Sequence, residues 1–527
     1  MREKLVKYRN IIFLSILLIS TLIFSAVNFI DSDEFLLNAG YYDEKIYIAG
    51  TSDVHGHIVS DTDESEYYSE DANYIMGLPM IDAIMKEMKE SNERVLFLDC
   101  GDLFHGTNEA NIEEGKGVVE IVNKMDYSAM VPGNHDFNFG FERLVEIKSQ
   151  IKFPILSANI YKNEELVFDE YKVFEIGDKK IGLFGLTSPI SLYHLNTDDH
   201  ENVEFEDPVI AAQRVVTKID NKENVDIIVL MSHLGRETDE KIMNEINGID
   251  LILSGHYHNL SNSIERIGNT YFVEMGAMTT HVGVAKIYFR NNKVAKISWR
   301  AIYSDNTELI DKELKDLSQT YHKKALEDAG VILGIANVRL NGVRSQVRSK
   351  ETNLANLLTD AMREVGKADI TLMNGGGIRQ SIPEGEIDLY TLGKVLPFSN
   401  SLVTIEMSGE QIYKALERGL RSYPDIGNGG FLQVSGISYS FDATKRVGEK
   451  IVSVTQDGVP LNKDEFYRVA TNDFLFNGGD GYEELVGCEL ISAGDLLKNV
   501  LAMYIKEKRI VEPAEEGRII VINERYK

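Results

Sequence analysis

Short apolar runs alternate along the chain with longer stretches in which apolar and polar positions recur at helical spacing. Ile46–Ala49, Val95–Leu98, Ala129–Val131, Ile227–Met231 and Leu251–Leu253 are brief and rich in Val, Ile and Leu. Runs of that length predict buried strands. The amphipathic stretches Pro79–Lys89 and Pro208–Ile219 predict helices between some of them. That alternation predicts an α/β layered domain. Residues 305–328 are strongly polar, contain no Gly or Pro, and predict a linking helix. A second α/β segment follows, with a strand at Ile370–Met373 and helices at Leu354–Val365 and Gln411–Leu420.

The N-terminal pattern differs. Arg2, Lys4, Lys7 and Arg9 precede Ile11–Ile30, a run without a charged residue. About 20 such residues suffice to cross a bilayer as a helix. The basic flank favours a cytoplasmic N-terminus with the remainder outside. The alternative is a cleaved signal peptide. Phe24 and Val27 interrupt Ser25 and Ala26, so no clean small-x-small cleavage site is present and the uncleaved anchor is favoured. Both readings put the folded part outside the cytoplasm, either membrane-anchored or secreted into the cell envelope. Residues 1–30 are thus expected to be the anchor or signal, and residues 31–44 a polar stalk.

Composition changes the picture in two ways. A length of 527 residues implies more than one domain. A net charge of -28 repels DNA, RNA and anionic lipid, which excludes long nucleic acids as partners. A small anionic substrate needs a local cationic site, from metal ions or clustered arginines. The acidic run Asp61–Asp71 is expected to be a solvated loop. Cys100 and Cys488 offer neither a disulfide framework nor a cysteine zinc pattern; Cys100 follows an apolar run and is a core thiol.

The chemistry follows the strands. Asp53, His55 and His57 (SDVHGH) come after the first run, Asp102 (CGD) after the second, and Asn134, His135 and Asp136 (GNHD) after the third. His233 (SHLG) follows the fourth, and His256 and His258 (GHYH) the fifth. In open α/β sheets ligands bind at the carboxyl ends of strands, so these groups are expected at one edge. Carboxylate and imidazole without thiolate suit divalent Zn, Mn, Fe or Co in a hydrolytic site that keeps positions open for water.

The ordered set DxH, GD, GNHD, H and GHxH resembles the calcineurin-like metallophosphoesterases. The resemblance implies a four-layer α-β-β-α sandwich holding two divalent metal ions. It implies that Asp53, His55 and His258 hold one ion, Asn134, His233 and His256 hold the other, and Asp102 bridges them. His135 would sit beside the phosphate. His57 and His281 receive no role, and Asp136 is expected to support its neighbours.

The C-terminal half narrows the substrate. NGGGIR (Asn374–Arg379) follows a strand, LPF contains Phe398, and NGGDG (Asn477–Gly481) lies just after Phe474. With GGFLQVSG (Gly429–Gly436), these segments resemble the C-terminal domain of the 5'-nucleotidase family, which includes periplasmic UDP-sugar hydrolases and ecto-5'-nucleotidases. The resemblance covers nearly the whole chain after the anchor. It implies a metallophosphoesterase domain at 45–304, a linking helix at 305–329, and an α+β substrate-binding domain at 330–527. Arg344, Arg348 and Arg379 would contact phosphate or carboxylate groups, and Asn374 and Asn400 would make polar contacts. Phe398 and Phe474 would stack on the base, and Asp480 would accept from the ribose hydroxyls. The expected substrate is a small nucleotide, hydrolysed at its phosphate ester.

One position departs from the family pattern. Three residues after the catalytic histidine the family places Asp, and this chain places Asn138. Asn can orient the ring but adds no charge. That form is more similar to the 2',3'-cyclic-nucleotide 2'-phosphodiesterase/3'-nucleotidase branch, whereas FLQVSG and DFLFNGGDG favour the 5'-nucleotidases.

Overall fold

The computed structural model describes residues 32–523 apart from 61–74, 92–93, 190–202, 305, 307, 399 and 424–428. The apolar run Ile11–Ile30 and the acidic run Asp61–Asp71 lie outside the described residues. Among the described residues no helix is long and apolar enough to cross a membrane. Part of the expected stalk forms the helix Ser32–Asn38, whose acidic first turn is drawn to lysines: Asp33 pairs with Lys296 at 2.7 Å and Glu34 with Lys45 at 2.5 Å.

The first half contains two stacked sheets. In one, Glu44–Thr51 pairs in parallel with Val95–Asp99 and antiparallel with Val282–Arg290, and Val95–Asp99 pairs in parallel with Ala129–Met130. In the other, Ile227–His233 lies between Lys179–Thr187 and Leu251–Ser254, all parallel. The five strand ends therefore belong to two sheets rather than one, three from the first and two from the second. Both faces of each central strand are apolar, because each sheet is covered on both sides. Ile46, Ile48, Leu96 and Leu98 meet Val229, Met231, Leu251 and Leu253 between the sheets. Ala49, Val95 and Phe97 point outward onto the helices Leu78–Ser91 and Phe141–Gln150. Ile228, Leu230 and Ile252 point the other way onto Pro208–Lys222 and Arg236–Glu245. Three cores separate four layers, helix–sheet–sheet–helix.

The helix expected over 305–328 spans Lys312–Ala329. It begins there because Asp311 Oδ1 accepts the backbone N–H of Leu314 at 2.8 Å, a side-chain cap. Leu314 and Tyr321 enter the first core, Lys86 Nζ lies 2.8 Å from Asp82 and 2.8 Å from Asp311, and His322 meets Glu109 at 2.7 Å.

The second half is built on a five-stranded sheet, in the order Leu432–Ser435, Ile370–Asn374, Phe466–Asn472, Ser401–Ser408, Glu489–Leu496. Helices Asn353–Val365, Leu389–Val395 and Leu497–Lys508 cover one side of it. Helix Gly409–Gly419, with its capping box at Ser408 and Gln411, and a four-stranded sheet cover the other.

Candidate active site

The loops after the strands of the first half turn back sharply. Asp53, His55, Asp102, His256 and His258 have φ of 48°, 47°, 57°, 82° and 59°. Such left-handed backbone costs a non-glycine residue of order 1 kcal/mol or more and persists where surrounding structure fixes it. Here Asp53 N donates to Gly101 O and His55 N to Asp102 O, both at 2.8 Å. Asp136 braces the loop of Asp102 and the loop that carries Asn134. Its carboxylate accepts backbone N–H groups of Asp102, Leu103, Phe104 and Gly133 at 2.8–3.0 Å.

The seven expected ligands converge; His256 and His258 are half-buried and the others buried. His55 Nδ1 is held by His105 O at 3.1 Å and His233 Nδ1 by Cys100 O at 2.7 Å. Donation to these carbonyls leaves each Nε2 as a lone pair facing inward. His55 Nε2 faces His258 Nε2 at 3.0 Å and Asp102 Oδ2 at 3.7 Å. His233 Nε2 faces Asp102 Oδ2 and Asn134 Oδ1, both at 3.2 Å, and His256 Nδ1 lies 2.8 Å from Asn134 Oδ1. Asp53 Oδ1 lies 3.5 Å from His258 Nε2 and 4.0 Å from His233 Nε2.

Carboxylate and amide oxygens and imidazole nitrogens thus crowd to within 2.8–3.2 Å of one another, an arrangement that positive charge among them, a proton or a metal cation, stabilises. Asp102 shows the same need. Its Oδ1 accepts His135 N at 2.7 Å, while its buried Oδ2 makes no hydrogen bond. Burial pulls His233 down, but Asp102 and Asp53 raise it to about 10, so with no cation among these groups the ring takes up a proton in its place and the pocket attracts positive charge. Burial holds His55 at about 3, so it presents a lone pair. Two overlapping groups have ligand atoms within 4.8 Å of one another: Asp53, His55 and His258, and Asp53, Asp102 and His233. The donor set fits divalent cations.

The loops approach too closely for side chains larger than hydrogen. A Cβ on Gly133 would lie 2.2 Å from Asp102 Oδ1, and one on Gly101 would lie 2.5 Å from His233 Nδ1. Gly133→Ala is expected to lower metal content and cut activity about a hundredfold, since misplacing a ligand by roughly 1 Å costs about that much. Metal analysis beside phosphate-release assays checks it; wild-type values for both would contradict the tight packing.

His57 lies near Glu109 and Lys498, outside the convergent set. His281 is structural, with Nε2 2.8 Å from Met275 O and Nδ1 2.8 Å from Thr280 Oγ1. His135 and Asn138 sit at the rim, with Asn138 Nδ2 3.3 Å from His135 Nδ1. Two neighbours escaped the motif reading. His105 stacks parallel to His135, and Asp473 Oδ2, from the second half, lies 3.9 Å from His135 Nε2.

The second half brings its expected residues into one cavity of about 340 Å³, lined by Arg344, Arg348, Asn374, Arg379, Phe398, Asn400, Phe474 and Asp480. Phe398 and Phe474 remain 40% and 42% exposed and line this cavity, so part of each ring is open to it. Asn374 Nδ2 donates to Asp480 Oδ2 at 3.0 Å, and Arg421 Nη2 to Asp480 O at 2.6 Å, fixing a loop whose Asp480 has φ 52°. Burial, then Arg344 and Arg379, lower Arg348 to about 10, so this cluster of guanidiniums favours an anion. A larger cavity of about 480 Å³ reaches Asn134, His135, His256 and His258, and shares Phe398, Asn400 and Phe474 as its wall with the first.

Comparison with known proteins agrees with both halves. Residues 46–260 match the calcineurin-like phosphoesterase family, and residues 331–487 the 5'-nucleotidase C-terminal domain. The 5'-nucleotidase of Homo sapiens is 30% identical over 528 residues, covering 90% of each chain. The solved 5'-nucleotidase precursor from Thermus thermophilus is 30% identical, with a TM-score of 0.58 over 92% of this chain and 100% of that one. The NAD nucleotidase of Haemophilus influenzae shares the fold at 20% identity, with a TM-score of 0.65 over 92% and 100% of the two chains. Motifs, layered fold, a cation-seeking pocket and this likeness over nine-tenths of both chains lead to one assignment: the chain belongs to the 5'-nucleotidase family of metal-dependent phosphoric ester hydrolases.

Proposed function

We propose that this protein is a two-metal 5'-nucleotidase acting outside the cytoplasm, with UDP-sugars as a second substrate class. The observation that carries this reading is the shared wall. Phe398, Asn400 and Phe474 border both the arginine-rich cavity and the cavity that reaches the ligand cluster, so one small nucleotide can occupy both. Residues 45–304 would form the metal domain and 330–527 the nucleoside domain, joined through 305–329. The basic flank and uncharged run Ile11–Ile30 support the extracytoplasmic setting.

Asp53, His55 and His258 would hold one cation and Asn134, His233 and His256 the other, with Asp102 between them. Paired divalent cations supply an activated water and neutralise charge on the phosphoryl oxygens. The chain's own groups do the remainder. Phe398 and Phe474 clamp the base, Asp480 and Asn374 fix the ribose, and the arginines screen distal charge. These contacts place the ester phosphate beside His135, whose Nε2 can donate to a phosphoryl oxygen or to the departing ester oxygen. Asn138 holds that ring from its other nitrogen.

The test is phosphate release by residues 31–527 with Mn. Substrates are 5'-AMP, 3'-AMP, 2',3'-cyclic AMP and UDP-glucose, with a coupled phosphatase for the last two. The expected order has 5'-AMP first, with all activity lost to EDTA and restored by Mn, Co or Zn. Chelation is also expected to lower Tm, because a ligand bound only by the folded state stabilises it. Preference for the cyclic or 3' substrates would overturn the assignment and move the enzyme to the branch that Asn138 resembles.

A further inference from the structure

His135 is not held by position 138 alone. Asn138 Nδ2 lies 3.3 Å from His135 Nδ1 and 3.2 Å from His105 Nδ1. The two rings are nearly parallel, 7° apart in plane, with centroids 6.2 Å apart. An amide nitrogen carries two hydrogens, so it can donate one to each ring. Both Nδ1 atoms are then acceptors, and each ring carries its hydrogen on Nε2. Asn138 Oδ1 is buried without a partner. Exchanging the amide oxygen and nitrogen would instead require a hydrogen on Nδ1 of both rings, so the protonation of the two Nδ1 atoms distinguishes the orientations.

The far side of His105 belongs to the other half of the molecule. His105 Nε2 faces Asp495 Oδ1 at 3.7 Å. Asp495 Oδ1 is itself fixed by Leu496 N at 2.7 Å and Asn499 Nδ2 at 2.9 Å. Three residues on, Lys498 Nζ donates to Gly106 O at 2.9 Å and to Asn108 Oδ1 at 3.3 Å. One corner of the second half, where strand Glu489–Leu496 meets helix Leu497–Lys508, therefore grips the loop that carries His105.

We propose that His105 is a positioning residue for His135: acting through Asn138, it passes the docking of the Asp495–Lys498 corner on to the imidazole that faces the phosphate. The proposal rests on the placement of His135 beside the phosphate. His105 touches no substrate and adds no step. It orients Asn138, which presents the His135 ring with its hydrogen on Nε2. Were the corner to lift away, Asp495 would no longer restrain His105, and the ring of His135 would lose its fixed orientation.

The test uses the full-length chain in mild detergent, with metal content and Tm measured for every variant. His105→Ala is expected to lower kcat for 5'-AMP about tenfold or more with KM and metal content unchanged, the size of loss seen when a partner of a site residue is removed. His105→Asn, which keeps an acceptor oxygen where Nδ1 stood, recovers most of that loss. Asp495→Asn and Lys498→Met lower kcat less. In an Asn138→Leu background none of the three adds a further loss, because the linkage is already cut. Losses that multiply in the double variants, or an asparagine no better than alanine at 105, would overturn the proposal.

A second measurement does not depend on turnover. With ring-15N histidine, the Nδ1 signals of His105 and His135 report unprotonated acceptors in the unsubstituted protein and change in Asn138→Leu. Protonated Nδ1 on both rings would overturn the proposal even in a fully active enzyme. Failure of the unsubstituted protein to hydrolyse any nucleotide would sink the functional reading and leave this spectroscopic result standing.

Discussion

Asp102→Ala is expected to reduce kcat/KM for 5'-AMP by roughly 10³-fold or more, about 4 kcal/mol of lost transition-state stabilisation. The carboxylate has two separate tasks. Its Oδ1 accepts the backbone N–H of His135 at 2.7 Å, and its Oδ2 faces His233 at 3.2 Å and His55 at 3.7 Å. Alanine orphans a buried N–H and removes negative charge from among the imidazoles. Bound metal per chain should fall below that of the unsubstituted protein. Asp102→Asn keeps an oxygen for His135 N but loses the charge, so it should retain more Tm than alanine while remaining metal-poor. Metal analysis and initial rates on the same preparations decide the matter. Full metal occupancy with less than a tenfold loss would remove Asp102 from between the cations.

The largest expected effect on substrate choice comes from the paired rings. Stacking of a base on an aromatic side chain contributes about 1–3 kcal/mol. Phe398→Ala and Phe474→Ala should each raise KM for 5'-AMP about tenfold. The double variant should lower the ratio of kcat/KM for 5'-AMP to that for glycerol phosphate, which has no base, about a hundredfold. The ratio is the informative quantity, because both rings also wall the cavity that reaches the ligand cluster. An unchanged ratio would mean that the base is held elsewhere. A guanidinium rests on one of these rings, with Arg379 Cζ 5.5 Å from the Phe398 centroid. Arg379→Ala is therefore not a clean probe of phosphate binding alone.

Much of this site was legible from one fact, that Asp, Asn and His residues follow short apolar runs. Asp53, Asp102, Asn134 and His256 each stand just beyond a largely buried strand and His233 ends one, and such runs are conspicuous. Which sheet each strand joins was not legible. Val95–Leu98 and Ile227–Met231 look alike, and only pairing with Glu44–Thr51 or Lys179–Thr187 separates them. In the second half Arg379 and Phe474 stand beside glycine-rich segments, whereas Phe398 lies in LPF and Arg344 and Arg348 were singled out only by the family resemblance. His105 was missed because nothing local marks it. In GDLFHG it is one more residue of a loop, and its surroundings come from Asn138 and from Asp495, which is distant in sequence. Asp473 was overlooked for a related reason, since the neighbouring Phe474 drew the argument toward stacking while its carboxylate turns to His135. The linking helix was found by the lack of breakers, but its true start needed the Asp311 cap.

The left-handed backbone of the ligand loops bears on how this enzyme can change over evolutionary time. At Asp53, His55, Asp102, His256 and His258 the main chain already disfavours most residue types, above all β-branched ones, so a donor swap there is penalised twice, once by the cation and once by the backbone. Asn134, with φ -69°, and His233, at the end of a regular strand, carry no such restriction. If the seven residues hold the cations as proposed, drift in metal preference would be channelled through positions 134 and 233, with the other five held by conformation as well as by chemistry.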